Sequence, residues 1–103
     1  MKFYEFNGEF EYYALIAADE LVPLPRELAI NKYKEVIEIE DDEWLEFYGG
    51  CKPNEVSKEY ALNKYISSEI EGCKTKKEKE KDFYKTINSD SLYCILLVDK
   101  QLL

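Results

Sequence analysis

The chain has 103 residues, a net charge of −8 and a hydrophobic fraction of 46%. This length predicts a single domain over residues 1–103, and the composition is too apolar for a disordered chain. No uncharged stretch approaches the roughly 20 residues of a membrane-spanning helix, and the N-terminal MKFYEF lacks the apolar run of a secretory signal. We therefore expect a cytoplasmic protein that does not enter a membrane.

The first predicted element is a β-hairpin around Asn7-Gly8, a dipeptide typical of type I′ turns. It joins Lys2–Phe6 to a second strand over 9–18 and places Phe3 opposite Tyr12. Alternation then puts one set of mainly apolar side chains on a single face, namely Phe3, Phe10, Tyr12, Ala14, Ile16 and Ala18. Tyr4 and Tyr13 are expected to point to the other face, which is exposed.

The middle of the chain predicts a helix followed by a strand. Pro25 suits the first turn of a helix, and apolar residues at three- and four-residue spacing extend it to about residue 34. Ile37 and Ile39 then alternate with Glu38 and Glu40, which predicts a short strand over 36–41. The outward face of that strand would consist almost entirely of carboxylates.

Two helices and a strand complete the predicted fold. Ser57 is a plausible N-cap for a helix ending near residue 71, and Thr75 with Glu78 has the form of a capping box for a helix to about Ile87. The apolar run over 91–98 predicts a central strand buried on both faces. The expected class is α+β, with an antiparallel sheet of about four strands in the order ββαβααβ and helices packed on one face.

The sequence excludes the commonest catalytic groups. It contains no histidine, so Ser-His and Cys-His pairs and His-containing zinc sites cannot form. Cys51, Cys73 and Cys94 form no C-x-x-C pair, which favours reduced thiols. Asp and Glu at 40–43 lack the glycine and the spacing of a calcium-binding loop. We expect a protein without enzymatic activity, cofactor or metal.

Negative charge is concentrated in the first half of the chain. Residues 1–46 contain 13 acidic and 4 basic residues, and residues 35–46 alone contain seven carboxylates. On a strand, alternate carboxylates lie about 6.8 Å apart and form a rigid acidic row. Such a row either protects an edge strand from pairing or binds a basic groove that otherwise holds phosphates. Trp44, Phe47 and Tyr48 are either core residues or an anchor for a partner.

Small size, acidity, the absence of histidine and a lysine-rich composition typical of low-GC genomes give an overall profile that resembles the anti-CRISPR inhibitors of phages and mobile elements. No motif carries this resemblance. It implies a bacterial host cell and a protein partner with a basic nucleic-acid-binding surface, such as a Cas nuclease, without direct contact to nucleic acid. The predicted partner-binding residues are Glu38, Glu40, Asp42, Glu43, Trp44, Glu46 and Tyr48. The alternative is a structural module that forms homo-oligomers through Tyr4 and Tyr13.

Overall fold

The structure, a computed structural model, describes residues 1–70 and 72–99 and combines four strands with four helices in that part of the chain. In chain order the elements are β1 (Lys2–Phe6), β2 (Ala14–Ala18), α1 (Pro25–Ile37), α2 (Asp41–Tyr48), β3 (Asn54–Val56), α3 (Lys58–Ser67), α4 (Lys76–Ile87) and β4 (Tyr93–Val98). The strands form one sheet in the order β3-β1-β2-β4, and every neighbouring pair is antiparallel. The α+β class, the four-stranded sheet and, apart from the additional helix α2, the element order are confirmed.

The central strands are apolar on both faces, and a pair of helices covers each face. One hydrophobic cluster, the α1–α2 core, joins alternate strand residues to the first two helices and includes Tyr4, Phe6, Ile16, Tyr33, Trp44 and Tyr48. The second cluster, the α3–α4 core, uses the intervening strand residues and includes Phe3, Leu15, Ala61, Tyr65, Phe83 and Leu96. The prediction that all helices pack on one face is therefore wrong.

The first two strands pair as expected but in another register. Phe3 lies opposite Ala17, and the connection of residues 7–13 has positive φ only at Gly8, whereas a type I′ turn needs two such residues. The observed pairing differs from the predicted one by five positions. Because five is an odd number, each side chain of β1 shares a face with the opposite set of β2 side chains from the set predicted. Phe3 consequently faces the α3–α4 core, and Tyr4, expected on the exposed face, is only 2% exposed.

Burial of Phe10 accounts for the longer connection. The Phe10 amide donates to the Asn7 carbonyl oxygen at 3.3 Å, which turns the chain away from the sheet. The Phe10 ring then packs on aromatic neighbours of the α1–α2 core, with centroids 5.2 Å from Phe6 and 5.6 Å from both Tyr33 and Tyr48. An extended hairpin would place Phe10 opposite Glu5 and lose these contacts.

The strand predicted over 36–41 does not form, because α1 continues to Ile37 and α2 begins at Asp41. Ile37 lies four residues after Tyr33 and packs against the same core, so the apolar spacing of α1 includes it. Glu38 ends the helix in the left-handed conformation, with φ of 55°. The third strand of the sheet is instead the short edge strand β3, which pairs with β1.

The second half of the chain agrees with its capping residues. The Ser57 and Thr75 hydroxyl groups accept hydrogen bonds from the amides of Tyr60 and Glu78, at 3.0 and 3.1 Å. α3 ends earlier than predicted, at Ser67, and the predicted end at residue 71 lies outside the described residues. β4 is an edge strand rather than a central one, since β2 is its only neighbour among the described strands.

Candidate protein-binding site

Helix α2 presents most of its residues to solvent. Only Trp44 and Tyr48, four residues apart, are buried, and both pack in the α1–α2 core. The Glu43 carboxylate accepts a hydrogen bond from the Glu40 amide at 3.3 Å, which satisfies one amide at the helix start. Acidic residues in the first turn also interact favourably with the positive end of the helix dipole.

The structure separates the predicted site residues into two groups. The acidic members are all exposed, and none forms an ion pair within residues 1–70 and 72–99; they are Glu38, Glu40, Asp42, Glu43 and Glu46. Trp44 and Tyr48 are 7% and 9% exposed, so they cannot protrude toward a partner as anchors. Their i,i+4 spacing within a helix explains why they face the core.

Two large apolar side chains of α2 are exposed to solvent. Leu45 is 69% exposed and Phe47 is 64% exposed. Helical spacing places Phe47 beside Glu43, and Asp42 beside Glu46, on two adjoining strips of the helix surface. The sequence analysis missed this arrangement because it treated the acidic residues as part of a strand. The i,i+4 spacing of Trp44 and Tyr48 was the signal that could have indicated a helix there.

A groove lies beside α2, and we call it the α2 groove. It has a volume of about 400 Å³, and its apolar and aromatic lining includes Ile39, Phe47, Tyr48 and Tyr12. Its acidic lining consists of Glu11, Glu38 and Glu43. The Tyr33 hydroxyl donates to the Tyr12 carbonyl oxygen at 2.5 Å, which holds the Tyr12 segment against α1. Acidic and aromatic groups thus meet in one depression.

On the other side of the Glu38–Glu40 turn, two lysines partly neutralise the acidic segment. Lys34 Nζ lies 3.3 Å from Asp41 Oδ1 and 5.4 Å from the centre of the Trp44 ring. Lys32 Nζ lies 3.2 Å from Glu35 Oε2. These contacts use acids outside the predicted site set, so the charges of that set remain available to a partner.

A second polar cluster surrounds Glu5, which is only 3% exposed. Its carboxylate accepts hydrogen bonds from the Tyr13 hydroxyl at 2.8 Å, the Tyr60 hydroxyl at 3.0 Å and the Asn7 side-chain amide at 3.1 Å. Burial, followed by the hydrogen bond to Glu5, raises the pKa of Tyr13; for Tyr60 the hydrogen bond is the main cause of a raised pKa. The cluster connects α3 to the sheet, which is a structural role.

The cysteines are free thiols. The Cys51 thiol donates to Glu9 Oε2 at 2.8 Å, and this bond raises the pKa of Cys51. Burial raises the pKa of Cys94. Within the part of the chain that the structure describes, no three Cys, Asp or Glu side chains converge in a way that could hold a metal ion.

Comparison with known families assigns the chain. The family model of the YosH C-terminal domain matches residues 1–97. The chain belongs to the YosH C-terminal domain family. The match covers seven of the eight elements completely and all but the last residue of β4. Comparison of the chain with curated proteins and with solved structures gives no match. Among its described residues, none of the helices has the length and apolar character needed to cross a membrane.

Proposed function

We propose that this protein is a non-catalytic binding module that docks through α2 onto a basic surface of a protein partner. The docking surface, the α2 face, comprises Glu38, Glu40, Asp42, Glu43 and Glu46 together with the exposed Leu45 and Phe47. One observation carries the proposal: these five carboxylates face solvent without an ion pair among the described residues, beside two large exposed apolar side chains.

The folding of α2 does not account for all of this chemistry. Asp42 and Glu43 lie in the first turn, where a negative charge stabilises a helix by about 0.3–1 kcal/mol. Glu46 lies near the other end, where the helix dipole disfavours a carboxylate. Leu45 and Phe47 are largely exposed and therefore bury little apolar surface on folding. A docking surface explains these three residues, whereas helix capping does not.

The partner chemistry follows from charge complementarity. Surfaces that hold nucleic-acid phosphates carry clustered lysines and arginines, and contacts to phosphate supply much of the affinity there. The carboxylates of the α2 face offer the same sign of charge as phosphates. In its specific form the proposal is an inhibitor of the anti-CRISPR type, which occludes the nucleic-acid groove of a defence nuclease in a bacterial cytoplasm.

The test uses charge reversal on α2 with a matched control on α4. The baits for affinity capture from a low-GC bacterial extract are the tagged wild-type protein, the Asp42→Lys/Glu46→Lys variant and an α4 variant, Glu80→Lys/Asp90→Lys. Glu80 and Asp90 are exposed acids on α4 and just after its end. Captured proteins are identified by mass spectrometry. We expect a basic nucleic-acid-binding protein that the wild type and the α4 variant retain and the α2 variant loses. Its affinity should fall as salt concentration rises.

Two results would reject the proposal. One is a captured protein whose affinity is the same at low and high salt; the other is undiminished binding by the α2 variant. Circular dichroism of each variant checks that helix content is preserved. Asp42→Lys removes a favourable charge from the first turn, whereas Glu46→Lys removes an unfavourable one near the other end, so their effects on the helix dipole oppose each other. If helix content is preserved, a loss of binding by this variant reflects the change of charge.

The alternative was a module that self-associates through an exposed face formed by Tyr4 and Tyr13. Tyr4 is buried in the α1–α2 core, and the Tyr13 hydroxyl is occupied by Glu5. These two tyrosines therefore do not form an exposed strip for a second copy. Gel filtration of the pure protein measures its oligomeric state directly.

A further inference from the structure

We propose that the α2 groove binds an arginine side chain of the protein partner; this inference rests on the function proposed above. The groove has a volume of about 400 Å³. That volume accommodates one long side chain of a partner that covers the α2 face. The groove would thereby supply the specific contact within a surface that otherwise acts through overall charge.

The lining of the groove matches a side chain with an apolar stem and a cationic end. Ile39, Phe47 and Tyr12 contribute apolar and aromatic surface. Carboxylates of Glu11, Glu38 and Glu43 contribute negative charge, and no lysine or arginine of the described residues lines the groove. The proposal therefore depends on the aromatic and acidic groups together.

The protein itself contains the same combination of groups on the other side of the Glu38–Glu40 turn. There Lys34 places its ammonium group 3.3 Å from Asp41 Oδ1 and 5.4 Å from the Trp44 ring centre. Both Asp41 and Trp44 belong to α2. This internal contact shows that α2 can hold a cation between a carboxylate and an aromatic ring. In the α2 groove, Glu43 and Phe47 are the corresponding pair on the same helix.

Arginine fits the groove better than lysine does. Its planar guanidinium stacks on an aromatic ring and donates several hydrogen bonds in one plane, so it can contact two carboxylates at once. It is also less strongly hydrated than the lysine ammonium, which lowers the cost of leaving water. Because Glu38 and Glu43 both line the groove, a stacked guanidinium can bind carboxylates there while it contacts Phe47.

The experiment titrates the full chain with two capped tripeptides, acetyl-Gly-Arg-Gly-amide and acetyl-Gly-Lys-Gly-amide. Capping leaves the side chain as the only charge, which excludes recognition of a free amino acid. Binding is followed by two-dimensional 1H–15N NMR. We expect the arginine peptide to shift the amide signals of Ile39 and Phe47 and to bind several-fold more tightly than the lysine peptide.

Matched variants separate the groove from general acidity. Phe47→Ala and Glu43→Gln alter the groove, and glutamine can still accept the hydrogen bond from the Glu40 amide. The controls, Leu92→Ala and Glu80→Gln, change exposed residues that belong neither to the groove nor to the α2 face. Each groove variant should weaken arginine-peptide binding by about fivefold, as expected for the loss of a partly desolvated cation–π or ionic contact. The controls should change it less than twofold.

Three outcomes overturn the arginine groove: equal affinity for the two peptides, shifts confined to residues outside the groove, or equal weakening by groove and control variants. If these occur while the charge-reversed α2 variant still loses its captured partner, the proposed function stands and only the groove fails. If the groove variants behave as expected but partner capture is insensitive to Asp42→Lys/Glu46→Lys, the α2-face mechanism fails instead.

Discussion

Replacing Tyr13 with Phe removes one hydroxyl group from the cluster that surrounds the buried Glu5 carboxylate. The Tyr13 hydroxyl donates to Glu5 Oε2 at 2.8 Å, whereas the ring packs against the α3–α4 core and would remain there in the variant. A hydrogen bond to a charged group contributes about 1.5–3 kcal/mol to stability. Because the Tyr13 side chain is partly exposed, we take the lower end of this range, about 1.5 kcal/mol.

The other hydrogen-bond donors to Glu5 allow the stability of three variants to be ranked. Tyr60 is 40% exposed, so water can replace its hydroxyl, and Tyr60→Phe should cost less than Tyr13→Phe. The double variant leaves the Asn7 side-chain amide as the remaining side-chain donor identified at Glu5. Its loss of stability should exceed the sum of the single losses, since a buried charge then lacks most of its hydrogen bonds.

Urea unfolding measures these effects, with Trp44 fluorescence reporting on the α1–α2 core and circular dichroism on the helices. A loss of about 1.5 kcal/mol corresponds to a decrease in melting temperature of roughly 6 °C for a domain of this size. Tyr12→Phe is the control, because no hydrogen bond to its hydroxyl occurs within the described residues. The reasoning is refuted if Tyr13→Phe is as stable as the wild type, or if Tyr12→Phe loses as much.

Two further predictions concern ionisation. Burial raises the pKa of Tyr33 and Tyr65 above the ordinary value near 10. Above that pH the unfolded chain loses these protons while the folded chain keeps them, so the free energy of unfolding should fall as pH rises, by at most about 1.4 kcal/mol per pH unit for each tyrosine. Urea midpoints that stay constant between about pH 9 and about pH 11 contradict this. At Cys51, Glu9→Gln should lower the raised thiol pKa and accelerate alkylation near pH 8, measured by peptide mass spectrometry; an unchanged rate contradicts the role of Glu9.

Local patterns predicted the elements whose signals lie within a few residues. Ser57 and Thr75 each cap the helix that the sequence assigned to them. The segments 27–33 and 59–65, which share five of seven residues, lie on α1 and α3 and bury equivalent side chains, Ala29 and Ala61. Capping and helical spacing depend on neighbours in sequence, so the rest of the fold did not alter them.

The strand register and the strand order could not be predicted, because they depend on contacts between residues that are distant in sequence. The hairpin register follows from Phe10 packing among aromatic residues of three other elements, which no feature of residues 7–13 reveals. The position of β4 at the sheet edge likewise depends on β1 and β3 occupying the other side of β2. The apolar run that predicted a central strand reflects packing of β4 on the α3–α4 core, with Cys94 and Leu96 as its buried residues.

The acidic segment was predicted by composition but not by geometry. Its carboxylates in the predicted site are exposed, as expected, but none lies on a strand. Glu38 and Glu40 lie in the connection between α1 and α2, and Asp42, Glu43 and Glu46 occupy more than one strip of the surface of α2. Alternation of Ile37 and Ile39 with acidic residues favoured a strand, but this period-two pattern is too short to distinguish a strand from the end of a helix. The stronger helical evidence, Trp44 and Tyr48 at i,i+4, lay just beyond it.

The attachment of α2 explains how this fold can hold a binding surface at little cost to stability. Two side chains, Trp44 and Tyr48, connect the helix to the α1–α2 core, and the other six residues are exposed. Substitution at those six positions changes little buried area, so the fold does not require leucine at position 45 or phenylalanine at position 47. Capping, the helix dipole and the ion pair with Lys34 account for Asp41, Asp42 and Glu43, but folding requires little of Leu45, Glu46 and Phe47. The exposed apolar and acidic side chains at these three positions therefore support the proposed contact with a partner.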